Sequence, residues 1–146
     1  MKHYLIQERL ENYFNEAKKH IEKIKSAKDV LDKKMPLDME SFQNLSEREL
    51  DKLDILVFRF SKLQDLLGQK IFRYILDYSG FSINTSFINI LSELERSGFL
   101  EVDKWRALRD ARNIIAHEYP NEEEIMIDEL NFIYKEVDYL IELAKN

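Results

Sequence analysis

The chain contains no cysteine. That excludes a disulfide framework, a cysteine-ligated metal and a thiol nucleophile. Three glycines and two prolines in 146 residues are too little turn chemistry to connect a many-stranded sheet. No apolar run approaches the roughly 20 residues a membrane-spanning helix needs, and no run of signal-peptide type opens the sequence. The expectation is a cytoplasmic protein with no membrane partner. Positive charge is also scarce: 22 Lys and Arg stand against 28 Asp and Glu, a net charge of −6. The surface as a whole therefore does not attract nucleic acid, and any RNA contact requires a local basic patch.

What remains is a mixture, 45% hydrophobic and 34% charged, able to build one core, so a single domain over 1–146 is expected. Apolar residues recur at three- and four-residue steps almost throughout. Leu5, Leu10, Phe14, Ala17, Ile21, Ile24, Val30 and Leu31 mark a long helix over about 3–34. Its lysine run, Lys18 to Lys34, is broken by Glu22, Asp29 and Asp32 and reads as a solvated face. His3 and His20 read as surface residues without a second ligand at metal-binding spacing. Residues 35–45 read as a loop opened by Pro36.

Ser46 and Glu49 form a capping box for a second long helix, about 47–78. Its stripe is Leu50, Leu53, Val57, Phe60, Leu63, Leu67, Ile71, Tyr74, Ile75 and Tyr78, with Gly68 placed to permit close packing or a bend. Arg59 and Arg73 read as isolated surface arginines. Gly80 ends this helix, and Asn84, Thr85 or Ser86 caps a short one over about 87–97, closed by Gly98. Asp103 is expected to cap a helix over about 104–118, and Asn121 with Glu124 a last helix over about 122–145. The acidic run Glu122 to Glu124 suits the positive end of that last helix. The pattern predicts an all-α bundle of about five helices, up and down.

Chemistry concentrates in residues 105–120, WRALRDARNIIAHEYP. On a helix, Leu108, Ala111 and Ile115 face a core, while Arg106, Asp110, Asn113 and His117 lie near the opposite side. Arg112 and His117 are separated by roughly 140° and flank one edge. Pro120 stops the helix and pushes Tyr119 into an extended conformation. Trp105, near the helix start, reads as a packing anchor. On residue types alone, Arg112 also suits a structural arginine at the core boundary, His117 a helix cap, and Arg106–Asp110 a surface ion pair.

Residues 112–119 read R-N-x-x-x-H-x-Y. This resembles the R-x4-H-x-Y signature of the HepT-like branch of the HEPN superfamily, and the order long–long–short–motif–long resembles that family's helical bundle across most of the chain. The resemblance implies a metal-independent endoribonuclease toxin, dimeric, paired with a minimal nucleotidyltransferase antitoxin in a type VII-like system. It implies Arg112 and His117 as catalytic residues, Asn113 and Arg109 in support, Tyr119 as the acceptor of adenylylation by the partner, and no cofactor or metal.

RNA cleavage without metal needs a base, an acid and positive charge on phosphate. Each chain offers one histidine in this region, and a two-fold dimer presenting two copies of Arg112 and His117 to one groove supplies the second. The competing reading is a non-catalytic substrate- or nucleotide-binding subunit of a nucleotidyltransferase complex. A third is a purely structural helical dimer.

Overall fold

A computed structural model describes residues 2–117 and 122–145. Its elements are α1 (Lys2–Leu31), α2 (Met39–Gln43), α3 (Glu47–Leu66), a π-helical turn (Leu67–Ile71), α4 (Phe72–Tyr78), α5 (Phe87–Arg96), α6 (Val102–Ala116) and α7 (Glu123–Lys145). All are helical, and no strand occurs among the described residues. No helix of the described residues is long and apolar enough to cross a membrane.

Long-range pairs give the directions of the rods. Arg9 donates to the Tyr74 hydroxyl, Arg59 meets His20, and Lys34 approaches Glu49, so α1 runs antiparallel to the α3–α4 rod. Lys28 contacts Asp138 while Leu37 bonds Asn131, which sets α7 antiparallel to α1. Glu101 reaches Tyr139 near the start of α6, and Leu108 and Phe132 share one hollow, so α6 and α7 are antiparallel too. One continuous core runs between these rods, from Ala17, Ile21, Ile24 and Leu31 through Phe60, Leu63 and Phe72 to Ile133, Val137 and Leu140.

Local signals account for most helix ends. The Ser46 hydroxyl accepts from Glu49 N–H at 3.1 Å, and the Glu49 carboxylate accepts from Ser46 N–H at 2.8 Å. Among the three cap candidates before α5, Ser86 is the one used, accepting from Asn89 N–H at 3.2 Å. Gly80 and Gly98 take positive φ, the left-handed conformation that a Cβ disfavours. The lysine run of α1 is largely exposed, except that Lys28 donates to the Tyr134 carbonyl at 3.0 Å and sits over its ring.

Five expectations need correction. Residues 35–45 are not all loop: Asp38 and Ser41 form a second capping box that starts α2, giving a sixth helical rod rather than five. The Asn131 side chain bonds both Leu37 N–H (2.8 Å) and Leu37 C=O (2.9 Å), tying this segment to α7. Asp103 is not a cap, because α6 starts one residue before it, at Val102, with Glu101 as the cap residue. There the first N–H groups find distant partners, Val102 in the Glu95 carboxylate (2.8 Å) and Glu101 in the Tyr139 hydroxyl (2.7 Å). The stripe of the second rod shifts after Leu67. The π turn, in which Phe72 N–H reaches Leu67 C=O, inserts a residue, so Phe72 and Leu76 are buried and Tyr78 is exposed. Two other stripe members, Leu5 and Leu50, face solvent. The expected cap Asn121 lies outside the described residues.

His20 is the fifth correction. It is only 9% exposed, and its Nδ1 accepts from the Arg59 guanidinium at 3.2 Å. Burial first, then the Arg59 charge, lowers its pKa from the ordinary value of 6.5, against a smaller opposing effect of Glu16. The neutral ring is thus favoured in the folded state. The unfolded chain binds the proton first as pH falls, so His20 lowers stability below about pH 6.5 until its folded-state pKa is passed. Urea unfolding at a series of pH values is expected to show this loss, and His20→Gln, which retains an acceptor for Arg59, to flatten it. A Gln variant with an unchanged acid slope contradicts the assignment.

Candidate functional site

The motif helix packs against the middle of the α3–α4 rod, and the contact is made by Trp105 and Gly68. Trp105 is 2% exposed, with its ring centroid 4.8 Å from that of Phe72 and 6.5 Å from that of Phe87. A Cβ at Gly68 would stand 3.1 Å from Trp105 Cζ2, closer than a packed ring tolerates without moving. The missing side chain, at a π turn, lets the indole lie against backbone. Trp105 is therefore the packing anchor expected of it.

Beside this contact a cleft of about 440 Å³ opens between the two rods. Gln64, Asp65, Gly68, Gln69 and Arg73 form one wall, Trp105, Arg109, Arg112 and Asn113 the other, and Phe87 closes one end. The residues from α6 follow the spacing i, i+4, i+7, i+8, one face of a helix. The adjoining face buries Leu108 and Ala111 and half-buries Ile115, as expected. Three arginines and one aspartate line the cleft, so a local positive site exists on an acidic chain.

Each charged group has a position set by a neighbour. Arg112 donates from Nη2 to Asp65 Oδ2 at 3.0 Å, the two side chains being 34% and 35% exposed. Arg73 donates to the Ile83 carbonyl at 3.2 Å. Arg109 lies over the Phe87 ring, 5.9 Å from its centroid. Two of the lining residues also carry enclosed polar atoms with no hydrogen-bond partner among the described residues: Nε2 and Oε1 of Gln64, and Nε1 of Trp105.

Of the residues singled out in the sequence, the cleft gathers Arg109, Arg112 and Asn113. His117 is not in its lining. It is the exposed C-cap residue of α6, its N–H donating to Asn113 C=O at 3.2 Å. The Asn113 side chain makes no hydrogen bond to the imidazole ring, and the two residues are linked through backbone alone. Arg106 is exposed and outside the cleft. Tyr119 and Pro120, with Glu118, lie outside the described residues. Among the described residues no group of three or more His, Asp or Glu gathers as metal ligands.

No family model, curated protein or solved structure matches the chain.

Sequence reasoning missed Gln64, Asp65 and Gln69 and left Arg73 as an isolated surface arginine. Gln64 did carry a signal. It lies four residues after Phe60 and three before Leu67, inside the apolar stripe, where an amide without a stated partner calls for a reason. Asp65 carried none, because its partner is 47 residues away.

The Arg112–Asp65 pair is one-third exposed and thus screened, contributing about 1 kcal/mol or less to stability. Asp65→Asn is expected to shift the free energy of urea unfolding by no more than that. A loss of several kcal/mol would identify a structural lock instead of a displaceable pair.

Proposed function

We propose that this protein is a HEPN-type, HepT-like endoribonuclease toxin that works without a metal ion as a homodimer. The observation that carries this reading is the position of Arg112. It stands with Arg109 and Arg73 on an arginine-lined cleft, on the same helix that ends at an exposed His117. The R-N-x-x-x-H-x-Y resemblance supplies the reaction class.

In this reading Arg112 makes a bidentate contact to the oxygens of the scissile phosphate, exchanging the Asp65 carboxylate for it. A His117 ring takes the proton of the ribose 2′-hydroxyl, whose oxygen attacks the adjacent phosphorus. The bond to the 5′-oxygen breaks, and the imidazolium of a second His117 protonates that oxygen, leaving a cyclic phosphate and a 5′-hydroxyl. Two histidines require two chains, which is the reason for the homodimer. Arg109 adds positive charge and Asn113 contacts phosphate. The partner is a minimal nucleotidyltransferase antitoxin that adenylylates Tyr119, and the added phosphate blocks the groove by charge and bulk.

One observation favours a second reading, a non-catalytic substrate- or nucleotide-binding subunit of a nucleotidyltransferase complex: the cleft is lined without His117. The two differ in what the purified protein does to RNA. The first expects cleavage that survives EDTA and falls by roughly 10²- to 10⁴-fold in His117→Ala, with a comparable loss in Arg112→Ala. Circular dichroism of both variants should match the parent. Absence of cleavage by the parent, or cleavage that needs a divalent ion, overturns it. For regulation, Tyr119→Phe should keep cleavage and escape neutralisation by the partner, and nucleotide additions persisting on the Phe variant in intact-mass measurements would remove Tyr119 as the acceptor.

A further inference from the structure

The lining of the cleft contains a chemical surplus that phosphate binding does not use. Among the described residues, Gln64, 3% exposed, has an amide donor and acceptor with no hydrogen-bond partner, and Trp105, 2% exposed, an indole N–H with none. A buried amide left without hydrogen bonds destabilises the fold, and an apolar residue at position 64 would continue the stripe around it. Both side chains line the same cleft as the arginines. We infer that this cleft is a nucleobase subsite that takes the adenine ring of a ribonucleotide.

The chemistry selects that ligand in three steps. A side-chain amide presents a donor and an acceptor side by side, the complement of the adenine N6–N7 edge. Both polar atoms of the amide are enclosed as the chain stands, so a ligand reaches them through a rotamer change of the Gln64 side chain, which leaves the backbone in place. The Phe87 and Trp105 rings give a planar base apolar surroundings, and base–aromatic packing is a general device for single-stranded nucleic acid. Arg73, Arg109 and Arg112 then meet the attached phosphate, while Asp65, the one acid in the wall, disfavours a bare anion and accepts from ribose hydroxyls. The volume of about 440 Å³ lies within the range of small-molecule sites and suits one nucleotide rather than a duplex.

The nucleotide comes either from an RNA chain or from solution. The first source rests on the ribonuclease reading, in which a base seated here sets which phosphate Arg112 holds. The second does not.

Trp105 is the only tryptophan of the chain, so fluorescence excited at the red edge of the indole band, where the seven tyrosines do not absorb, reports on this cleft. The full-length protein is titrated with AMP, UMP, inorganic phosphate, and short 2′-O-methyl oligonucleotides of adenine or of uracil, which cannot be cleaved. A saturable change is expected with AMP and the adenine oligonucleotide, and binding weaker by about tenfold or more with the uracil ligands and with phosphate. Gln64→Met, of similar volume, is expected to abolish the preference for adenine and to melt no lower than the parent, because the amide has no partner to lose. Arg109→Ala, at an exposed position, is expected to weaken all the nucleotides while keeping the preference.

Equal response to phosphate and AMP, no saturable response to any nucleotide, an adenine preference that survives Gln64→Met, or a Gln64→Met variant that fails to fold each overturns the subsite. Response to AMP without response to the adenine oligonucleotide supports it with free nucleotide as the source. Adenine-dependent fluorescence in a preparation that cleaves no RNA leaves the subsite standing and removes the ribonuclease reading. Cleavage without that fluorescence change does the reverse.

Discussion

The seating of Trp105 on the bare backbone of Gly68 is the contact on which the site depends. The indole approaches so closely that a methyl group at position 68 would stand 3.1 Å from it. This close approach brings the motif helix against the π turn and leaves a cleft beside the contact. Because Trp105 fixes the rotation of α6, the residues four, seven and eight positions later, Arg109, Arg112 and Asn113, must face that cleft. Phe72 and Phe87 brace the indole from the other sides, so the helix cannot roll without opening the core.

The cleft reverses the electrostatic character of the molecule locally. The chain carries a net charge of −6, yet three arginines meet one aspartate here. Each guanidinium already has a neighbour, a carbonyl for Arg73, a ring for Arg109 and a carboxylate for Arg112. Such partners orient the donors before a ligand arrives, which reduces the ordering a ligand must impose. The Asp65 carboxylate is the partner that a phosphate has to replace, and its exposure keeps that exchange inexpensive. Charge recognition and the proposed base recognition then fall to different residues of one wall, Arg73 and Gln64, about two and a half helical turns apart.

How much of this was legible beforehand varies with the range of the interactions. Capping boxes at Ser46 and glycine stops at Gly80 and Gly98 act through neighbours in sequence, and those helix ends were read correctly. The start of α6 departs from a cap at Asp103, because its N–H groups bond Glu95 and Tyr139 instead of a local cap. The burial of His20 leaves no trace in its neighbours in sequence, because the Arg59 that covers it belongs to another helix. The HEPN resemblance points to Arg109, Arg112, Asn113 and His117; the first three share a cleft wall, and His117 lies outside its lining. It could not point to the opposite wall, which carries no part of the motif.

The sequence by itself determined an all-helical chain, the spacing that puts the motif arginines on one helix face, and the tryptophan that anchors that helix. These follow from a 3.6-residue period and from side-chain size, properties that each segment carries alone. Tertiary structure decided what the arginines face. The π turn at Leu67–Ile71 shifts the buried stripe by one residue, and the packing of α6 across it sets Asp65 against Arg112 and leaves the Gln64 amide and the Trp105 indole N–H buried without hydrogen-bond partners among the described residues. Partners 40 or more residues apart meet only when rods pack, and local periodicity carries no record of which rod will be the neighbour.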